Sequence, residues 1–184
     1  MCFTDSLTPS TRLAMDFTPF IRDIPDFPKP GILFKDITPL LADPEAFQAS
    51  IDALTLKFAT ARIDAIAAAE ARGFLFAAPL ALALKKPLVP LRKPGKLPYR
   101  TYSLKYDLEY GQAELHMHVD GIAEGNRVLM VDDLLATGGT MQAGCKLVER
   151  AGGVIVACAF LVELGFLNGR DKLEGYDVFS LVTY

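Results

Sequence analysis

VLMVDDLLATGGT, residues 128–140, reads in order as a strand, a pair of acids, a glycine loop and the start of a helix. The apolar run 128–131 shows no alternation, which suits a parallel strand covered on both faces; such a run alone does not exclude a buried helix. The next residues settle the choice. Asp132 and Asp133 stand at the carboxyl end of the run, where open α/β sheets place their ligand crevice. Ala136, Thr137, Gly138, Gly139 and Thr140 then supply small residues whose backbone N–H groups can converge on an anion. From Met141 a helical stripe of Met141, Cys145 and Val148 begins, ending at Gly152 and Gly153, so its positive end faces the same spot. Ionised carboxylates only accept hydrogen bonds, and sugar hydroxyls donate them. The ligand implied is a phosphorylated sugar. Neither G-x-x-x-x-G-K-[ST] nor a strand followed by G-x-G-x-x-G is present, which argues against a P-loop ATPase and a dinucleotide dehydrogenase.

The stretch closely resembles the phosphoribosyl pyrophosphate signature of the type I phosphoribosyltransferases. Other segments resemble that family in the family's order: DIPDFPKPGILFKDITPLL at 23–41, EARGF at 70–74, RKPGKLP at 92–98 and YDLEYGQAEL at 106–115. Together they point to the members that take adenine as the base. The resemblance implies an α/β chain with a central, mostly parallel sheet flanked by helices, an N-terminal hood over residues 16–44, and a flexible loop and β-hairpin over 93–119. It further implies adenine and phosphoribosyl pyrophosphate as substrates, AMP and pyrophosphate as products, Mg²⁺ carried mainly by the substrate, and a homodimer. Two other readings stay open: a transferase for another purine base such as hypoxanthine, or a nucleotide-sensing module of the same fold without catalysis.

Composition sets bounds on this. At 184 residues with 51% hydrophobic content the size prior is one domain, residues 16–184, after an extension over 1–15 expected to be poorly ordered. Net charge is −3 with signs mixed, so no attraction to nucleic acid or acidic membranes is expected. The apolar stretches 74–84 and 154–162 are too short for a membrane span, and a cytoplasmic location is expected. Cys2, Cys145 and Cys158 form no C-x-x-C pair, and the last two read as core.

Along the chain, prolines at 19, 25, 28, 30, 39 and 44 predict a stiff, extended cover outside the central sheet. The resemblance places adenine under Leu33 and Lys35 of this hood, with Leu164 of LVEL on the other side. Lys35 stands where the family often has arginine, and it can equally be a solvated charge. Asp43 and Pro44 start a helix whose apolar face is Phe47, Ile51, Leu54 and Phe58. A buried strand at 63–69 leads into Glu70-Ala71-Arg72-Gly73, a tight turn that directs the Arg72 guanidinium into the crevice. The resemblance gives Arg72 the pyrophosphate and a cis peptide at Glu70-Ala71. Residues 92–100 hold four cations, a glycine and two prolines, an exposed basic loop. Here the resemblance assigns Lys93 and Lys96 to the leaving group, and Glu109 and Tyr110 to the acid and tyrosine of the catalytic loop. Glu114, His116 and His118 share the polar face of a strand, a spacing compatible with a metal although solvated histidines are the ordinary case. A buried strand at 154–162, a helical turn at 169–173 and a last strand at 178–182 complete the chain.

Overall fold

The computed structural model describes residues 15–108 and 111–184. The described chain forms two compact units that divide between Lys57 and Phe58. Glu109 and Tyr110 lie outside the described residues, as does most of the N-terminal extension.

In the first unit a 3₁₀ turn, Thr18–Phe20, is followed by strands β1 (Arg22–Pro25) and β2 (Leu33–Asp36), then helices α1 (Thr38–Ala42) and α2 (Pro44–Phe58). The proline-rich stretch is therefore not simply extended: β1 and β2 pair antiparallel, with Ile24 opposite Phe34. Proline permits this because Pro25 closes its strand and Pro28 and Pro30 fall in the connecting turn. Asp26 and Gly31 take positive φ of 58° and 85° there, and the Phe27–Pro28 bond is cis. Helix α2 starts as its sequence predicts. The Asp43 carboxylate accepts the N–H groups of Glu45 and Ala46 at 3.0 and 2.9 Å, with Pro44 in the first turn, where no donor is needed.

The second unit is built on a five-stranded sheet of β3 (Ala65–Ala69), β4 (Leu88–Leu91), β7 (Arg127–Leu135), β8 (Val154–Glu163) and β9 (Val178–Thr183). Its order is β4-β3-β7-β8-β9 and every pair is parallel. The apolar run lies on the central strand: Val128, Leu129, Met130 and Val131 are each at most 1% exposed, which is why it shows no alternation. Helices α3 (Gly73–Leu84) and α4 (Gly139–Arg150) connect β3 to β4 and β7 to β8. Against α4 the sheet packs Met130, Leu91, Cys158 and Phe160 around Cys145 and Val148. The approach is tight enough that a Cβ on Gly144 would stand 2.8 Å from Met130 Cε and 2.9 Å from Leu91 Cδ1. Cys145 and Cys158 are buried with Sγ atoms 3.6 Å apart; that contact, and burial after it, push the Cys145 thiol far up, so it stays protonated and acts as packing.

A hairpin of β5 (Thr101–Leu108) and β6 (Gly111–His118) forms a separate two-stranded sheet, as expected for this excursion. Leu115 and Met117 are buried, and Leu115 packs with Ala143 and Leu147 of α4. His116 Nδ1 is 2.9 Å from Thr101 Oγ1 and its Nε2 is 3.3 Å from Glu114 Oε1. Among the described residues no group of three or more His, Cys, Asp or Glu could hold a metal ion, and no helix is long and apolar enough to cross a membrane.

β8 ends on a buried acid. Arg170 donates to both Glu163 oxygens at 2.6 and 2.7 Å and Ser180 adds a bond of 2.8 Å. The Arg170 bonds come first in holding this carboxyl below its usual range, against a smaller upward push from burial. A depressed folded value means that the contribution to stability is present above the unfolded glutamate pKa of about 4.3 and is lost as pH falls through the folded one. Glu163→Gln is expected to flatten that part of the acid-unfolding curve, read as urea midpoints between neutral pH and about pH 3; an unaltered pH dependence counts against the pair's role.

Candidate active site

From β3 the chain moves to β4 on one side, and from β7 to β8 on the other, although β3 and β7 are neighbours. The crevice at the carboxyl ends of these two strands is thus a topological switch point, the place where open α/β sheets bind ligands. Two segments meet there, Glu70 to Arg72 after β3 and residues 132–140 at the end of β7. They line one cavity of about 250 Å³, which also takes in Met141.

The glycine loop differs in detail from its sequence reading. β7 runs on to Leu135, so both aspartates lie inside the strand rather than beyond it, because its pairing with β8 continues through Leu135 opposite Glu163. The helix begins at Gly139, two residues earlier than expected, and Gly138 is its N-cap at φ +78°. Gln142 N–H already bonds the Gly138 carbonyl at 2.9 Å. The N–H groups of Gly139, Thr140 and Met141 therefore have no partner in the helix, and no side chain caps that end. They are placed to receive an anion, with the helix dipole favouring negative charge.

Asp132 and Asp133 line the same cavity. Asp132 Oδ1 accepts the Asp133 N–H at 2.9 Å. Gly73 makes room for it: a Cβ there would come within 2.7 Å of that oxygen and 3.2 Å of the Val131 carbonyl. Burial pushes the Asp132 carboxyl well up, the Asp133 charge adds to this, and Arg72 opposes it. Burial also raises Asp133, with Arg72 again pulling down. Arg72 Nε is 2.9 Å from Asp133 Oδ2 in an ion pair, yet no hydrogen-bond donor among the described residues is aligned on that buried oxygen.

The Glu70–Ala71 peptide is cis, as the resemblance implied. Glu70 turns out to join the two cationic segments. Its carboxylate accepts Arg92 Nε at 2.7 Å and the Lys93 N–H at 2.9 Å, and Arg92 in turn donates to the Lys96 carbonyl at 3.3 Å. One acid thus fixes the start of the basic loop to the turn that carries Arg72. The backbone bond to Lys93 and the pairing with Arg92 hold the Glu70 carboxyl below its usual range against burial, which opposes them.

The chain matches the family model for a phosphoribosyl transferase domain over residues 37–181. It is 59% identical to adenine phosphoribosyltransferase of Kosmotoga olearia over 92% of this chain and 100% of that one. The chain belongs to the adenine phosphoribosyltransferase family. Among solved structures, that of the adenine phosphoribosyltransferase of Thermoanaerobacter pseudethanolicus superposes with a TM-score of 0.89 at 54% identity, covering 96% of this chain and all of that one. The Saccharomyces cerevisiae enzyme, solved with adenine and D-2,5-dideoxy-2,5-imino-altritol 1,6-bisphosphate, gives 0.85 at 40% identity over 94% of this chain and 98% of that one.

Of the residues expected at the site, Arg72, Asp132, Asp133, Ala136, Thr137, Gly138, Gly139 and Thr140 share one cavity. Lys93 and Lys96 lie on the exposed loop that Arg92 and Glu70 anchor. Leu164 is buried just after β8, its N–H bonded to the Leu135 carbonyl at 2.9 Å. In the first unit Leu33 is 44% exposed on β2. Lys35 is not a solvated charge: it is 7% exposed and its Nζ is 2.6 Å from Asp23 Oδ1, because strand pairing sets the two residues opposite each other. Three contributors had no assigned role in the sequence reading. Arg92 and Glu70 open motifs already singled out, so charge at those positions was a usable signal. Tyr106 opens the 106–115 motif, but only the hairpin's path brings its hydroxyl to 3.3 Å from Thr140 Oγ1, which no local pattern encodes.

If Glu70 anchors the basic loop, Glu70→Gln should raise KM for phosphoribosyl pyrophosphate by about three- to tenfold, the size of one weakened charge-assisted bond, and leave the melting temperature nearly unchanged. Steady-state kinetics with a thermal melt check this.

Proposed function

We propose that the chain transfers the phosphoribosyl group of phosphoribosyl pyrophosphate to adenine, giving AMP and pyrophosphate, a purine-salvage reaction. One observation supports it above the others: the uncapped start of α4 and the Asp132–Asp133 pair line one cavity, which brings donors for a phosphate and acceptors for sugar hydroxyls together. In this reading the N–H groups and hydroxyls of residues 136–140 take the 5-phosphate, and Asp132 and Asp133 take the ribose hydroxyls. Leu33, Lys35 and Leu164 are the proposed contacts of the base.

Bond breaking between the ribose C1 and the pyrophosphate oxygen leads, leaving oxocarbenium character on the sugar as in glycoside cleavage. The adenine nitrogen lone pair then forms the new bond to C1, the electrons of the broken bond leave with pyrophosphate, and the proton of that nitrogen passes to a base, for which Glu109 is proposed. Holding ribose by both its phosphate and its hydroxyls makes the substitution effectively unimolecular. Arg72, Lys93, Lys96 and Tyr110 are the proposed partners of the leaving group, since cations and donors stabilise the negative charge that grows there. Mg²⁺ would add Lewis-acid stabilisation of that charge. The ion would be carried mainly by the substrate, since Mg²⁺ commonly takes much of its coordination from substrate phosphates and water. A homodimer and a cytoplasmic location complete the proposal.

Incubating the purified protein with Mg²⁺, phosphoribosyl pyrophosphate and each purine in turn tests the base. Turnover is expected with adenine; exclusive turnover of an oxopurine would sink the adenine assignment.

A further inference from the structure

The loop that cradles the phosphate is backed by a second turn which does not line the cavity. Gly138 and Gly169 pass so close that a Cβ on Gly138 would overlap the Gly169 carbonyl, and one on Gly169 would overlap the Ala136 carbonyl. The backbone of the 3₁₀ turn Gly169–Leu173 is thus pressed against the backbone of residues 136–138, with no side chain between to absorb a shift. Gln142 of α4 ties the same turn a second time, its Nε2 donating to the Lys172 carbonyl at 2.8 Å.

A charged fork holds the turn. Arg170 reaches back to the last residue of β8, gripping both Glu163 oxygens, and also donates to the Val178 carbonyl of β9 at 3.2 Å. Ser180 of β9 supplies a further bond to Glu163. A bidentate guanidinium–carboxylate pair fixes orientation as well as distance, which a single point charge does not. The carboxylate is buried at 7% exposure while Arg170 is half exposed, so the rigid end of the pair lies in the sheet and the free end carries the turn.

We propose that the Arg170–Glu163 pair is a positioning device for the 5-phosphate cradle: it clamps the turn behind residues 136–138 and thereby sets affinity for the phosphorylated sugar, touching neither substrate. This rests on reading that loop as the sugar-phosphate site. Loss of the clamp lets the turn retreat, and the amides that must converge on the anion lose their backstop. The leaving-group cations do not run through this contact, and Leu164, next to Glu163, is held separately by its N–H bond to the Leu135 carbonyl, so the larger effect falls on the sugar-phosphate substrate.

The test measures binding of ribose 5-phosphate by calorimetry, with steady-state kinetics, on the full chain and on three variants. Arg170→Met is expected to weaken ribose 5-phosphate binding and raise KM for phosphoribosyl pyrophosphate by about tenfold, with kcat and KM for adenine within about twofold. Arg170→Lys, which keeps charge but not the fork, is expected in between. Gln142→Ala, removing the second tie, is expected to raise the same KM about threefold and serves alone if Arg170→Met does not fold. Unchanged sugar-phosphate binding in folded Arg170→Met, or in Gln142→Ala where the former fails to fold, would overturn the clamp. So would equal rises in both KM values. If the unaltered chain itself does not bind ribose 5-phosphate, the cradle reading falls and the clamp falls with it.

Discussion

Asp133→Asn is expected to lower kcat/KM for phosphoribosyl pyrophosphate by about a hundred- to ten-thousandfold. The side chain keeps its shape but loses the charge that would accept ribose hydroxyls, and hydrogen bonds to a charged group are worth about 1.5–3 kcal/mol each. Two such bonds at roughly 1.4 kcal/mol per tenfold give that range. Arg72 also loses the partner that now holds it 2.9 Å away, so the guanidinium is less well aimed at pyrophosphate. Folding should scarcely change. Burial already disfavours the Asp133 charge, and the paired Arg72 side chain is 37% exposed and can turn to water, so a loss within about 1 kcal/mol is expected. Steady-state kinetics beside a thermal melt separate the two effects; unaltered kinetics would remove Asp133 from the ribose site.

Gly138→Ala should injure both stability and activity. At φ +78° an L side chain is strained, a cost of about 1–3 kcal/mol. The new Cβ would also meet the Gly169 carbonyl, a backbone atom that cannot swing aside. Together these predict a loss of roughly 2–4 kcal/mol, or a melting temperature lower by about 5–15 °C. Gly125→Ala is the matched control: φ is +77° there, yet nothing lies within 4 Å of the added carbon. It isolates the dihedral cost from the clash. Only Gly138→Ala should also abolish measurable affinity for ribose 5-phosphate, because only that position sets the start of α4. Equal losses in the two variants would show that the contact with Gly169 carries no weight.

The parts of this molecule legible in its sequence are those fixed by local chemistry. The unbroken apolar run at 128–131 reported a strand covered on both faces, Asp43-Pro44 reported a helix start, and alternation in 113–119 reported a strand with Leu115 and Met117 inward. Asp132, Asp133 and residues 136–140 were legible as a site because the acids, glycines and helix start are contiguous. Long-range facts were not. The switch point depends on β3 and β7 being neighbours although β4, β5 and β6 separate them in sequence, which no local pattern encodes. The antiparallel β1–β2 pair was hidden because proline density masks strand signals while tolerating strands that end on proline. Arg170 sits in an exposed polar turn, and nothing in its neighbourhood of sequence signals a buried acid seven residues earlier.

A crystal grown with AMP puts the site to its most direct trial. The phosphate oxygens should lie about 2.7–3.2 Å from the N–H groups at the start of α4, with the ribose hydroxyls on Asp132 and Asp133. AMP seated elsewhere at saturating concentration, with residues 132–140 closed on one another, would mean that this crevice is not a sugar-phosphate site.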